Sequence, residues 1–171
     1  MTAMPDSRDQ LLACIPRLRR YARALMGDRA GADDLVQDTV ERGWARLGSW
    51  QGGSDMRAWL FSIMHNVRID QVRRPSMAVE PLNDAMSMTT APGSPSTGLE
   101  LRDMEVALRG LPHEQREILL LVALEEMSYD DIAQTLKIPI GTVMSRLSRA
   151  REKLRANMEG RPSVAPLKVV K

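Results

Sequence analysis

Residues 128–154 read SYDDIAQTLKIPIGTVMSRLSRAREKL. Ser128, with Asp131 three residues on, is a capping pair of the kind that satisfies backbone donors left free at a helix start. Ile132, Ala133 and Leu136 then give a short helix its apolar face. Ile138 and Pro139 make a tight turn, and Pro139 suits the first position of a longer, arginine-rich helix. A short supporting helix, a tight turn and a long basic helix is the order of a helix-turn-helix. At about 100° per residue, Val143, Leu147, Ala150, Leu154 and Met158 share one stripe and are expected to pack on the supporting helix. Ser145, Ser148, Arg149 and Glu152 occupy the opposite stripe. Thr142 and Met144 lie beside it near its start, and Arg146, Arg151 and Arg155 flank it.

Such a face fits duplex DNA. Arginine can make a paired contact with guanine O6 and N7, and serine can meet several base edges. Flanking cations neutralise phosphates and set the register. Ser145, Ser148 and Arg149 are therefore candidates for base contacts, and Thr142, Arg146 and Arg151 for phosphates. An isolated basic helix is more often a solvated charged face. The capped helix, the proline turn and the buried stripe together reverse that preference.

Outward from this segment the periodicity is helical throughout. Leu11, Ile15, Leu18, Ala22 and Leu25 recur at steps of three and four, predicting a helix over 8–26, with Pro16 expected to kink it or mark a second start. A helix over 30–47 turns Ala32, Leu35, Val36, Val40 and Leu47 inward. Residues 48–55 (GSWQGGSD) are a loop by composition. A third helix, 56–74, buries Trp59, Leu60, Ile63 and Val67, and Pro75 stops it. From 75 to 98 periodicity disappears into Pro, Ser, Thr, Met and Gly, which reads as a flexible linker. Helices are expected at 99–109, 112–127, 129–137 and 139–158, with Pro112 and Pro139 at first helical positions. A tail over 159–171 is expected to be disordered. The fold class is therefore all-α: two small helical domains, 8–74 and 99–158, joined by a linker.

Composition narrows the function. With 24 basic and 22 acidic residues the net charge is only +2, so any nucleic-acid-binding face must be local. The one cysteine, Cys14, rules out a disulfide within the chain, and with His65 and His113 it makes no zinc site. Cys14 reads as a small buried apolar residue. The first ten residues lack a basic start followed by an apolar run, and no stretch reaches membrane-spanning length. A soluble cytoplasmic protein without membrane insertion is expected. No phosphate loop, metal cluster or nucleophile–base constellation points to an enzyme, and no cofactor is implied.

A helix-turn-helix alone does not separate a stand-alone DNA-binding regulator from other readers of DNA. The first block decides. The runs AGADDLVQDTVERGWARL (30–47) and MRAWLFSIMHNVRIDQVRR (56–74) resemble region two of the extracytoplasmic-function (ECF) RNA polymerase sigma factors. The run LRGLPHEQREILLLVALEEMSYDDIAQTLKIPIGTVMSRLSRAREKL (108–154) resembles their region four. The resemblance covers about 8–74 and 99–154, two motif blocks in the right order around a variable linker.

That resemblance implies a protein that binds the polymerase core and directs promoter-specific initiation, in a stress response and under an anti-sigma factor. It implies that Asp33, Asp34, Leu35, Gln37 and Asp38 dock on the clamp helices of the largest catalytic polymerase subunit. Acidic and amide groups beside apolar anchors suit an arginine-rich partner. It implies that the third helix reads the minus-ten element through Ser62, Asn66 and Asp70, with Arg73 and Arg74 on phosphates. The loop 49–55 matches the family's specificity loop, which captures a flipped base. There Trp50 offers a stacking surface, although an aromatic residue at a loop edge also serves as a core cap. His65 is expected to be exposed, as able to approach phosphate as to be a plain surface residue. The melting region holds only Trp50, Trp59 and Phe61 as aromatics, where many relatives have more. The helix-turn-helix residues, Thr142, Met144, Ser145, Arg146, Ser148, Arg149 and Arg151, are then readers of the minus-thirty-five element. The partners implied are polymerase core, promoter DNA and an anti-sigma factor.

Overall fold

The structure, a computed structural model, describes residues 6–74 and 95–160. They form α1 (Ser7–Met26), α2 (Arg29–Ala45), a 3-10 turn (Leu47–Ser49), α3 (Met56–Arg73), α4 (Pro95–Arg109), α5 (His113–Ala123), α6 (Tyr129–Leu136) and α7 (Ile140–Met158). Among the described residues there is no strand. Of the expected linker, residues 75–94 lie outside the described residues, and 95–98 are the first turn of α4. Of the expected tail, 161–171 lie outside them.

Local chemistry sets the helix ends. The Asp6, Asp28 and Asp55 carboxylates accept from Arg8 N, Gly31 N and Arg57 N at the starts of α1, α2 and α3. Ser128 Oγ accepts from Asp131 N at 3.1 Å and donates to Asp131 Oδ2 at 2.6 Å, so the capping pair forms as its spacing predicts. Gly27, at φ 75°, ends α1 in the left-handed conformation that glycine adopts without strain.

Three expectations about helix ends are corrected. Pro16 does not mark a second start, since α1 runs on through it: its missing N–H would have met the Leu12 carbonyl, and both residues lie on the exposed side, where water can take that bond. Pro112 and Pro139 are cap residues with extended ψ (146° and 144°), one position before the helix proper. The helix expected over 112–127 stops at Ala123, because Glu126 takes φ 52° and the chain turns back to bond Met127 N to the Leu121 carbonyl.

The helices α1, α2 and α3 pack around Leu11, Leu18, Ala22, Leu25, Leu35, Leu60, Met64 and Val67. In the second block α5, α6 and α7 pack around Ile118, Leu121, Ile132, Leu136, Val143, Leu147 and Ala150. Val40, Leu47, Trp59 and Cys14 are half-buried against this core. The two blocks share one continuous apolar cluster, with α1 against α5 and α3 against α6.

The seam between the blocks is also polar. Tyr21 is buried, its ring edge-on to Phe61 with centroids 4.8 Å apart, and its hydroxyl donates to the Glu117 carbonyl. Arg20 donates to the Leu124 carbonyl at 2.8 Å and Arg57 to the Glu125 carbonyl at 2.7 Å. In the other direction Arg116 reaches the Leu25 carbonyl and Arg109 that of Gly27, both at 2.8 Å. The Glu125 carboxylate is buried and faces Arg20, Arg17 and Arg57 at 3.2, 3.6 and 4.0 Å.

Candidate nucleic-acid interface

The helix α7 is anchored by Val143, Leu147 and Ala150, all buried against α5 and α6. Leu154 is half-buried. Met158, expected to complete the stripe, is 44% exposed, and beside it Asn157 ties the last turn of α7 to α4 by donating to the Ala107 carbonyl. The opposite face is open: Met144, Ser145, Ser148, Arg149, Arg151, Glu152 and Arg155 are exposed, with Thr142 and Arg146 half-buried beside them. Ser145 Oγ donates to the Thr142 carbonyl at 3.2 Å, which leaves the hydroxyl able to accept. A shallow groove runs along one side of this face between Tyr129, Met144, Ser148 and Arg151. Tyr129 was not singled out from sequence. Its signal was its place just after the Ser128 cap, which puts it at the entrance of the helix-turn-helix.

The helix α3 is placed less simply. Asn66, Arg73 and Arg74 are exposed and Ser62 is half-buried. Asp70 is occupied: Arg42 donates to it at 2.7 Å, and that bond holds its carboxyl below the usual carboxylate range. Trp50 is half-buried against the core with its indole Nε1 enclosed and unbonded, so here it is a cap on the bundle and not an open stacking surface. Phe61 is also consumed by the core. His65, expected at the surface, lies half-buried on the seam with its Nδ1 2.7 Å from Glu117 Oε1. The helical angle was right about α3 alone; the second block then covered that side. Nearby His113 is pushed below its ordinary pKa, first by burial, with Arg68 and Arg116 adding to the shift. The loop from Gln51 to Asp55 stays exposed.

The helix α2 presents Asp33, Asp34 and Gln37 to solvent, and Asp38 is half-buried, accepting from Gln71 Nε2 at 3.1 Å. Leu35 is 0% exposed and belongs to the bundle core, so it cannot be a surface anchor in this arrangement. An apolar group does stand on the outward stripe. Trp44 follows Asp33, Gln37 and Glu41 at helical steps of four, four and three, is 46% exposed, and has the Arg8 guanidinium 5.8 Å from its ring centroid. Spacing from Asp33 could have found it. A shallow polar groove beside this stripe is lined by Gly31, Asp34, Gln37, Asp38, Gln71 and Arg74. Among the described residues no cluster could hold a metal ion, and no helix is long and apolar enough to cross a membrane.

Two family models match. Residues 11–65 fit the Sigma2 domain of PhyR, and residues 101–154 fit Sigma-70, region 4. The chain is 40% identical over 151 residues to the ECF RNA polymerase sigma factor EcfG of Rhodopseudomonas palustris (strain TIE-1), over 87% of this chain and 83% of that protein. Among solved structures it is similar to the sigma factor RpoE from Bartonella quintana, crystallised with the anti-sigma factor NepR. That match has a TM-score of 0.72 and 32% identity and covers 91% of this chain and 98% of that one. It is also similar to CnrH in complex with the cytosolic domain of CnrY, with a TM-score of 0.66, 27% identity, and coverage of 90% and 88%.

Proposed function

The chain belongs to the ECF family of RNA polymerase sigma factors, and on that premise we propose how its surfaces divide the work of promoter recognition. The block 8–74 grips the polymerase core through the outward stripe of α2, with Asp33, Asp34 and Gln37 pairing with arginines of the clamp helices and Trp44 as the apolar anchor in place of Leu35. Asn66, Arg73 and Arg74 on α3 meet the minus-ten element, and the exposed loop 51–55 takes the displaced strand. The block 99–158 places α7 in the major groove of the minus-thirty-five element, Ser145, Ser148 and Arg149 toward bases and Thr142, Arg146 and Arg151 toward phosphates. The chain supplies binding and orientation; the polymerase supplies the chemistry. Its place of action is then the cytoplasm.

One observation carries this reading. The basic face of α7 and the acidic stripe of α2 are both open on a single packed body, each built on a buried apolar stripe that fixes its direction. Charge of opposite sign on separate surfaces suits two unlike partners, an arginine-rich protein and a polyanion. Joining two weak DNA readers on one polymerase raises their effective concentration, so the chain alone should bind promoters poorly. Control by an anti-sigma factor follows from the relatives: the RpoE structure holds NepR, and this chain covers nearly all of that sigma factor.

The test is in vitro transcription with purified core polymerase and a genomic promoter library. Specific transcripts sharing two upstream elements are expected. Failure to join the core, combined with tight operator binding by the free chain, would replace this reading with that of a stand-alone helix-turn-helix regulator.

A further inference from the structure

The first turn of α7 carries an arrangement that phosphate contacts and serine–arginine readout leave unexplained. Ile140 is 42% exposed and Met144, one turn on, is 53% exposed, on the edge of the open face that also presents Ser148 and Arg151. Two large apolar side chains in water on an otherwise Ser- and Arg-rich face gain nothing for the isolated fold. Between them sits Gly141. Its backbone is helical, and a Cβ built there would have no heavy-atom neighbour within 4 Å. At Gly43, by contrast, the need for glycine is plain: a Cβ there would come within 2.9 Å of Leu60. At Gly141 neither packing within the chain nor backbone conformation asks for glycine, and glycine weakens a helix relative to alanine. What distinguishes Gly141 is its place between two exposed apolar side chains at the start of the open face of α7.

We infer that Ile140 and Met144 read thymine methyl groups of the upstream promoter element, and that Gly141 is bare so that the DNA can approach the helix start closely. This rests on the reading of α7 as the major-groove helix. In that docking the residues at the start of the recognition helix reach the base edges. The thymine C5-methyl is the apolar feature of the major groove, and side chains of this kind contact it. Glycine is the residue that lets a backbone come near a ligand. The apolar pair continues the surface of Ser145, Ser148 and Arg149, so one duplex would cover all of them.

The experiment uses holoenzyme assembled from core polymerase and the full chain, on a promoter recovered from the library. Each thymine of the upstream element, on either strand, is replaced singly by deoxyuridine, which removes only the methyl group. At one or more positions the wild-type holoenzyme should bind about three- to fivefold more weakly, the effect of one buried methyl. Ile140→Ala or Met144→Ala should weaken binding to the unmodified promoter by a similar factor and be indifferent to that same swap. Gly141→Ala should raise the melting temperature of the free chain by about 1–3 °C while weakening promoter binding about tenfold or more. Opposite signs in stability and binding are what a purely structural role would not produce. If no swap matters, or both variants keep the wild-type sensitivity, the methyl contact is wrong. Unchanged or improved binding by Gly141→Ala sinks the close approach. If the wild-type holoenzyme shows no preference at an upstream element at all, the reading of α7 falls and takes this inference with it. A preference retained without methyl dependence removes this inference alone.

Discussion

Replacing Arg57 by alanine should destabilise the protein more than replacing Glu125 by glutamine, although both changes break the same ion pair. The Glu125 carboxylate is 0% exposed, whereas the Arg17 and Arg20 side chains facing it are 53% and 56% exposed and Arg57 is 26% exposed. Glu125→Gln removes a buried charge and its desolvation cost together. Two of the three cations it leaves are well solvated, so losing those contacts costs each under about 1 kcal/mol. Arg20 and Arg57 also keep their bonds to the carbonyls of Leu124 and Glu125. A net cost of about 1 kcal/mol follows. Arg57→Ala deletes the least exposed cation and the 2.7 Å bond to the Glu125 carbonyl, and it leaves the buried carboxylate with only its two solvated partners. A charge-assisted bond lost from a part-buried site and an under-compensated buried charge together cost about 3 kcal/mol. For a chain of this size about 2–4 °C in melting temperature corresponds to each kcal/mol. Thermal unfolding followed by circular dichroism should therefore show a loss of about 6–12 °C for Arg57→Ala and about 2–4 °C for Glu125→Gln. A larger loss for Glu125→Gln, or equal losses, would mean that the pair stabilises the seam by net attraction and that the desolvation argument is wrong.

Further outcomes are expected. Arg149→Ala should reduce use of the upstream element by about tenfold or more in transcription with core polymerase, since a paired arginine–base contact is worth about 1–3 kcal/mol; an unaltered upstream preference would remove this side chain from the reader. Asp33→Arg with Asp34→Arg, and separately Trp44→Ala, should each lower core affinity, measured by fluorescence anisotropy of the labelled chain, while Leu35→Ala should act through stability instead. Burial holds the folded pKa of His113 below its unfolded value of about 6.5. Its neutral form is thus favoured by folding, and that stability is complete above about pH 6.5 and declines as pH falls below it, toward the folded pKa. Urea unfolding between pH 7.5 and 5 should show a decline that His113→Gln reduces; identical slopes for the two proteins would show that His113 does not contribute.

The helices, the capping pair at Ser128 and Asp131, the turn at Pro139 and the open face of α7 could all be read from the chain. Each depends on residues within a turn or two of one another, where periodicity and capping chemistry act. The same logic turned Leu35 inward, as the structure has it, while the docking role that the resemblance implies for Leu35 does not fit a side chain enclosed in the bundle core. The seam was invisible. His65 meets Glu117 across 52 positions, Arg57 reaches Glu125 across 68 and Tyr21 reaches Glu117 across 96. No local pattern marks a glutamate as buried when the arginines that face it lie in another block. By itself the sequence determined the helical elements, their order and the chemistry each face offers, because those follow from short-range backbone and side-chain spacing. Only the tertiary structure decided which faces remain open, because enclosing one surface against another is a property of the whole packed chain.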